Sequence, residues 1–141
     1  MSARTNGREA ALQMLFAVDA AGHDRDSVLR DFWREFPGDA EGRPYADELV
    51  RGVCGDPKSL DDLIVQASQN WRIERMSRID RNILRLGTWE LRHKEDVPVA
   101  VIIDEAVELA KRYGNENSSS FINGVLNRIA QDHAAPRPAQ S

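Results

Sequence analysis

The sequence SSSFINGVLNRIA, residues 118–130, carries two conflicting signals for secondary structure. Apolar residues recur every four positions from Phe121 to Ile129, which is the apolar stripe of a helix. The dipeptide Asn123-Gly124 in the middle is a strong turn signal and is typical of a tight hairpin. A hairpin would need alternating apolar and polar residues on both sides, and neither flank alternates. The stretch therefore predicts a helix that contains a glycine.

A glycine inside a helix lowers helix stability by up to about 1 kcal/mol relative to alanine, so we expect it to have a structural role. We expect Gly124 to lie where another backbone comes close, most simply that of a neighbouring helix. Phe121 is three residues earlier, so it points roughly 60° away from Gly124 around the helix axis. Its ring would then remain available for another contact, with Asn123 beside it.

The rest of the chain carries the same helical signals. The run VPVAVII, residues 97–103, is the one ambiguous piece, because β-branched residues favour a strand, but nothing else in the chain alternates to pair with it. Caps, prolines and glycines then predict helices from Asn6 to Gly22, from Asp26 or Ser27 to Phe36 before Pro37-Gly38, from Pro44 to Gly55, from Pro57 to Asn70, from Ser77 to Lys94, from Pro98 to Gly114, and from Ser118 or Ser119 onward.

These elements predict an all-α fold, a compact bundle of about seven helices. The length of 141 residues suggests one domain, which we place at residues 1–133. Residues 134–141 are polar and rich in proline, so we expect a disordered tail. No apolar run approaches the roughly 20 residues needed to span a bilayer, and no signal peptide is evident, which favours a cytoplasmic protein.

Charge is unevenly distributed along the chain. The net charge is −4, yet arginine outnumbers lysine 16 to 3. Residues 19–62 hold 12 acids and 6 bases, whereas residues 71–94 hold 7 bases and 3 acids. Within the second segment Arg78, Arg81, Arg85 and Arg92 share one helical face. This arginine stripe is compatible with a solvated face, which charge alone slightly favours, or with a face that follows a phosphate backbone.

No residue pattern indicates catalysis. The three histidines are not spaced along the chain as metal ligands are, and a single cysteine, Cys54, cannot form an internal disulfide. Asp104, Glu105 and Glu108 are better explained by the charge preferences of a helix than by a metal. We therefore predict a protein that is not an enzyme and holds neither metal nor cofactor.

The run VPVAVIIDEAVELAKRYGNENSSSFINGVLNRIA resembles the C-terminal signature of the NusB family of bacterial transcription antitermination factors. RIDRNILRLGTWEL is similar to the central helix of that family, and REAALQMLFAVD to its first helix. The resemblance implies an all-helical fold of two packed subdomains. It also implies binding of the boxA element of nascent ribosomal RNA together with the ribosomal protein NusE, within an RNA polymerase complex that contains other Nus factors.

The resemblance implies site residues as well. The RNA surface includes the basic arm with Arg4 and Arg8 and the aromatic Phe121, to which we add Arg81 of the arginine stripe and Asn123. The NusE surface includes Phe16 and Asp80. Family members often begin with a dense arginine cluster, whereas SARTNGRE offers two arginines, so we expect the free protein to bind boxA weakly and the complex with NusE to bind it more tightly.

Other functions stay open at this point. A helical adaptor without its own RNA affinity would also explain composition and helix pattern. The same domain occurs fused to rRNA cytosine methyltransferases, but we expect no methyl-donor fold in these residues. Some relatives pair through surfaces that overlap the RNA site, so a homodimer is compatible with the sequence too.

Overall fold

The computed structural model describes residues 2–21, 24–35, 41–69 and 71–137. These residues contain α-helices and no strand, which confirms the all-α prediction. The helices are α1 (Ala3–Ala21), α2 (Arg25–Glu35), α3 (Arg43–Gly55), α4 (Pro57–Ala67), α5 (Arg78–His93), α6 (Val99–Tyr113) and α7 (Ser118–His133), with a short 3-10 helix at Ile73–Arg75.

The chain forms two compact units, Met1–Asp56 and Pro57–Ser141. The first contains α1 to α3 and the second contains α4 to α7. The boundary thus falls inside the single domain that we expected over residues 1–133, at the Asp56-Pro57 dipeptide that starts α4.

Several helix boundaries follow from local signals, as predicted. The hydroxyl oxygen of Ser77 caps α5, because it accepts a hydrogen bond from the amide of Asp80 at 3.1 Å. Pro98 immediately precedes α6, so the ambiguous run 97–103 is a short turn followed by helix and contains no strand. Helix α7 runs without interruption through Asn123-Gly124, which confirms the helix prediction for residues 118–130.

Three predicted caps were wrong. Asn6 lies inside α1, and Ser2 caps that helix, since its hydroxyl accepts from the amide of Thr5 at 3.0 Å. In α2 the amide of Ser27 donates to the carboxylate of Asp24 at 3.4 Å, one turn before the predicted cap.

In α7, Ser118 is buried within the first turn, and its hydroxyl accepts from the amide of Asn115. Clusters of Ser, Asp and Asn offer several caps, and packing selects among them. The predicted ends at Gly22, Phe36 and Pro37-Gly38 lie outside the described residues, and α4 ends at Ala67, three residues before the predicted Asn70.

In the first unit, α1 packs against the start of α3 through glycines. A Cβ built on Gly7 would lie 2.9 Å from the carbonyl oxygen of Gly42 and 3.2 Å from the amide nitrogen of Ala46. Gly7 therefore lets two backbones approach, which is the role we had assigned to Gly124. The core beneath this contact is aliphatic and includes Leu12, Met14, Leu15, Leu49, Val50 and Val53.

In the second unit, α5 is the central helix, and α4, α6 and α7 each contact it. A Cβ on Gly87 would lie 2.8 Å from the Cδ1 atom of Leu126, so α5 and α7 approach closely there. The prediction for Gly124 was wrong in this respect, because a Cβ at Gly124 would meet no atom of the described chain within 4 Å. Gly124 belongs to the outer side of α7, whereas Val125, Leu126 and Ile129 are buried.

The described part of the tail differs from the disorder we expected. The guanidinium of Arg137 donates to the carbonyl oxygens of Leu91 at 2.8 Å and Lys94 at 3.2 Å, where α5 ends. The amide of Ala135 also donates to Leu91, at 2.9 Å. The last carbonyls of a helix have no intrahelical donor, so an arginine from elsewhere in the chain can satisfy them. Residues 138–141 lie outside the described range.

Candidate RNA and protein interaction surfaces

The two arginines of the N-terminal arm occupy different environments. Arg4 and Arg8 stand one helical turn apart on α1, and both guanidinium groups lie over the ring of Tyr45, at 4.9 and 5.4 Å from its centroid. Arg4 is half-buried, whereas Arg8 is only 3% exposed. In this conformation Arg8 cannot offer its guanidinium to a phosphate, which differs from the role expected of it. Its burial follows from the packing of α3 on α1.

Phe16 lies further along the same helix and is 38% exposed. Neighbouring positions 14 and 15, by contrast, are buried core residues. An aromatic ring left this exposed on a helix is available to a protein partner, as the resemblance implies.

Asp80 and Arg81 lie in the first turn of α5, directly after the Ser77 cap. Each side chain has a buried polar atom without a hydrogen-bond partner in the described part of the chain, namely Oδ1 of Asp80 and Nε of Arg81. Leaving such an atom unpaired costs about 1–3 kcal/mol, and because both atoms are buried, a bound molecule reaches them only if the side chains reorient.

The arginine stripe is not uniform. Arg85 forms a bidentate pair with Asp61 of α4, with nitrogen–oxygen distances of 2.7 and 2.8 Å, and both side chains are largely buried. Arg78 and Arg92 are exposed, and Arg81 is intermediate. The stripe therefore contains a structural arginine in its middle, and neither a fully solvated face nor a continuous phosphate track describes it.

The first turns of α7 present polar atoms and an aromatic edge. Phe121 is half-buried, and Asn123 is exposed, with its side-chain oxygen accepting from the side-chain Nδ2 of Asn127 at 3.3 Å. Gly124 adds an open stretch of backbone beside them. The surface can stack a base at Phe121 and bond one at Asn123.

The predicted residues divide between the two units. Arg4, Arg8 and Phe16 belong to the first unit, and the second holds Asp80, Arg81, Phe121 and Asn123. Sequence reasoning missed Tyr45, although the guanidinium groups of both arm arginines lie over its ring. It also missed Trp71, which is 53% exposed. The signal for Trp71 was an aromatic followed by arginines in a connector between helices.

The described residues contain neither a metal-binding cluster nor a membrane-spanning helix. Among them, no cluster of three or more His, Cys, Asp or Glu side chains could hold a metal ion. None of the described helices is both long and apolar enough to cross a bilayer.

Comparison with known sequences identifies relatives along nearly the whole chain. The profile of the NusB family matches residues 5–131. The transcription antitermination protein NusB of Sorangium cellulosum (strain So ce56) is 63% identical over 132 residues, which cover 94% of each chain. That of Geobacter sulfurreducens is 47% identical over 131 residues, covering 92% of this chain and 95% of the relative.

Solved structures agree with these relatives. NusB of T. maritima superimposes with a TM-score of 0.86 at 40% identity, covering 94% of this chain and 93% of the other. A chain from the crystal structure of antitermination factors NusB and NusE in complex with dsRNA gives 0.85 at 26% identity, covering 94% and 99%. Sequence profile, relatives and fold coincide, so the chain belongs to the NusB family of transcription antitermination proteins, which are not enzymes.

Proposed function

We propose that this chain binds the boxA element of nascent ribosomal RNA together with NusE, and that the pair promotes read-through by RNA polymerase in a complex with other Nus factors. The observation that carries the proposal is the similarity, over 94% of the chain, to a protein solved together with NusE and double-stranded RNA. Transcription takes place in the bacterial cytoplasm, so the chain would act there.

RNA would be bound by Arg4, Arg81, Phe121 and Asn123. Arg4 and Arg81 supply positive charge for phosphates, Phe121 an aromatic edge for a base, and Asn123 an exposed amide. Arg8 would act indirectly, because its buried guanidinium and Tyr45 fix the position of Arg4. The free protein would then make few phosphate contacts.

NusE would contact Phe16 and Asp80. The exposed ring of Phe16 offers apolar surface, and the half-buried carboxylate of Asp80 supplies negative charge for a donor on the partner. A charge placed in such a contact is left desolvated and unpaired, which costs several kcal/mol.

The test is calorimetry with purified NusE. We expect an equimolar complex, with Phe16→Asp and Asp80→Lys each weakening it by about 30-fold or more. Val101→Asp is the matched control for the first variant, because Val101 is 41% exposed and lies in neither surface. Glu95→Lys, a charge reversal at an exposed turn, is the control for the second. Wild-type affinity in both interface variants would contradict the NusE assignment.

An adaptor without its own RNA affinity is the second candidate, and the buried Arg8 favours it, because a single arm arginine then remains to meet RNA. Binding of boxA RNA at several salt concentrations, with and without NusE, separates the two. The proposal expects weak, shallowly salt-dependent binding by the free protein and a steeper slope for the complex, by about 0.7 per added phosphate contact to a single strand. Sedimentation of the free protein shows whether a homodimer competes with RNA.

A further inference from the structure

Trp71 is the most exposed large apolar side chain of the described residues, at 53%. Tryptophan is enriched at protein interfaces, where the ring supplies contact area and the indole N–H a hydrogen bond. Here the indole makes neither a ring contact nor a hydrogen bond within the described chain. A single exposed apolar residue is ordinary, so its surroundings must decide whether it has a role.

The backbone that carries Trp71 is held in place on both sides. The hydroxyl of Ser68, which is buried, donates to the carbonyl oxygens of Val65 at 3.1 Å and Trp71 at 3.4 Å. The amide of Trp71 donates to the carbonyl of Ser68 at 3.3 Å, and Met76, which follows the 3-10 helix, is buried. A partner would therefore not have to order this segment, which lowers the cost of binding.

The residues that follow Trp71, from Arg72 to Arg75, line an open cleft of about 660 Å³. One wall is α4, with Val65 as its apolar member, and the other is the 3-10 helix with Ile73 and two arginines, Arg72 and Arg75. The cleft thus combines two apolar residues with charged residues next to an exposed indole, a combination that is common at protein docking sites.

The charges of the cleft indicate which class of molecule it accepts. Its acids Asp61 and Asp62 are paired, the first with Arg85 and the second with Lys58 at 2.9 Å. Arg72 and Arg75 are exposed and make no side-chain bond within the described residues. Two arginines are thus available for carboxylates, together with Trp71, and Trp and Arg dominate binding energy at protein interfaces.

A nucleic acid suits the cleft less well. Glu74 lines it between the two arginines, and Asp61 and Asp62 face it from α4, so a phosphate backbone would meet three carboxylates. A phosphate backbone carries a negative charge at every nucleotide, whereas a protein segment can place one or two carboxylates at Arg72 and Arg75 and apolar side chains against the rest of the cleft.

The cleft is also close to a residue that the proposed function gives to NusE. Arg75 precedes Asp80 by five residues, so their Cα atoms lie at most about 17 Å apart even if that chain were extended. One side of a standard interface covers about 800 Å², a patch roughly 30 Å across, which is wide enough to include both.

We propose that Trp71, Arg72 and Arg75 form a second anchor for NusE, continuous with Asp80, in which the indole packs against an apolar side chain and the arginines bind carboxylates of the partner. This proposal rests on the proposed function for the identity of the partner. It assigns the cleft to an acidic, apolar protein segment and adds three residues to that surface.

The test uses the full-length chain and purified NusE in calorimetry, with thermal melts to verify folding. We expect Trp71→Ala to weaken the complex by about tenfold or more, and the double variant Arg72→Glu, Arg75→Glu to do the same. Both sites are exposed, so the variants should melt within a few degrees of the wild type. Arg51→Glu, at an exposed arginine of α3, is the matched charge control.

The possible results are distinguishable. If Phe16→Asp abolishes binding while the Trp71 and arginine variants bind NusE as the wild type does, the second anchor is refuted and the proposed function stands. If the wild type itself fails to bind NusE, the proposed function fails first. Unchanged NusE affinity with reduced binding of boxA RNA by the free Trp71→Ala protein would make the cleft an RNA site and overturn the proposal.

Discussion

The first turns of α1 and of α7 look alike in sequence and differ in the folded protein. Each contains a glycine next to a residue that the sequence alone predicted to bind RNA, Gly7 beside Arg8 and Gly124 beside Asn123. At α1 the glycine packs against the backbone of α3, and the arginine is buried. At α7 the glycine faces open space, and the asparagine is exposed. The comparison shows that a glycine in a helix does not reveal whether its face is closed or open.

The largest effect is expected where the contact is closed. Gly7→Ala should lower the free energy of unfolding by up to about 3 kcal/mol, because the new methyl would overlap the backbone of Gly42 and Ala46, which cannot move aside cheaply. Urea denaturation measures this loss. A variant as stable as the wild type would show that α1 and α3 separate without cost, and the contrast with Gly124 would collapse.

A second closed contact is the one made by the tail. Arg137→Gln should lower stability by about 1–2 kcal/mol, because the carbonyls at the end of α5 lose a charged donor and the shorter glutamine side chain does not replace it. Thermal unfolding followed by circular dichroism gives the change in Tm. Arg34→Gln is the control and should change little, because Arg34 is exposed and its ion-pair partner among the described residues is Asp31, one turn away. Equal Tm values for the two variants would show that Arg137 does not hold the tail against α5, in agreement with the disorder that the composition of the tail suggests.

Arg8 and Arg4 sharpen the comparison within α1. Arg8→Ala should cost about 1–2 kcal/mol of stability through lost packing and the lost contact with Tyr45. Arg4→Ala should leave stability nearly unchanged and reduce the salt dependence of RNA binding. Chemical denaturation and RNA titrations on both variants test this division. If Arg8→Ala left stability unchanged and reduced the salt dependence of RNA binding, Arg8 would have to contact RNA directly.

The smallest effect, and one of opposite sign, is expected at the open contact. Gly124→Ala should raise stability by about 0.5–1 kcal/mol, because alanine is the better helix former and the methyl meets nothing in the described chain. The same variant should weaken boxA binding if the bare backbone is kept for RNA. A fall in Tm would reveal a contact at Gly124 that the structure does not contain.

Local chemistry determined most of the helices from the sequence alone. Ser77 as a cap, Pro57 and Pro98 at helix starts and the apolar stripe of α7 act within one or two turns, so their effect can be read without knowing the fold. The signature around Asn123-Gly124 likewise sufficed to identify the family, since family motifs are themselves local patterns. Phe16 and Asn123 are exposed, and their roles in binding stay predictions.

Tertiary structure alone decided which of these residues are accessible. The guanidinium of Arg8 lies over the ring of Tyr45, Arg85 pairs with Asp61, and Arg137 donates to the carbonyl of Leu91. Each of these partners is at least 24 residues away in sequence. Gly7 and not Gly124 became the close contact for the same reason. Periodicity shows that a residue shares a helical face with others, but burial depends on which helix covers that face, and this information is held by residues distant along the chain.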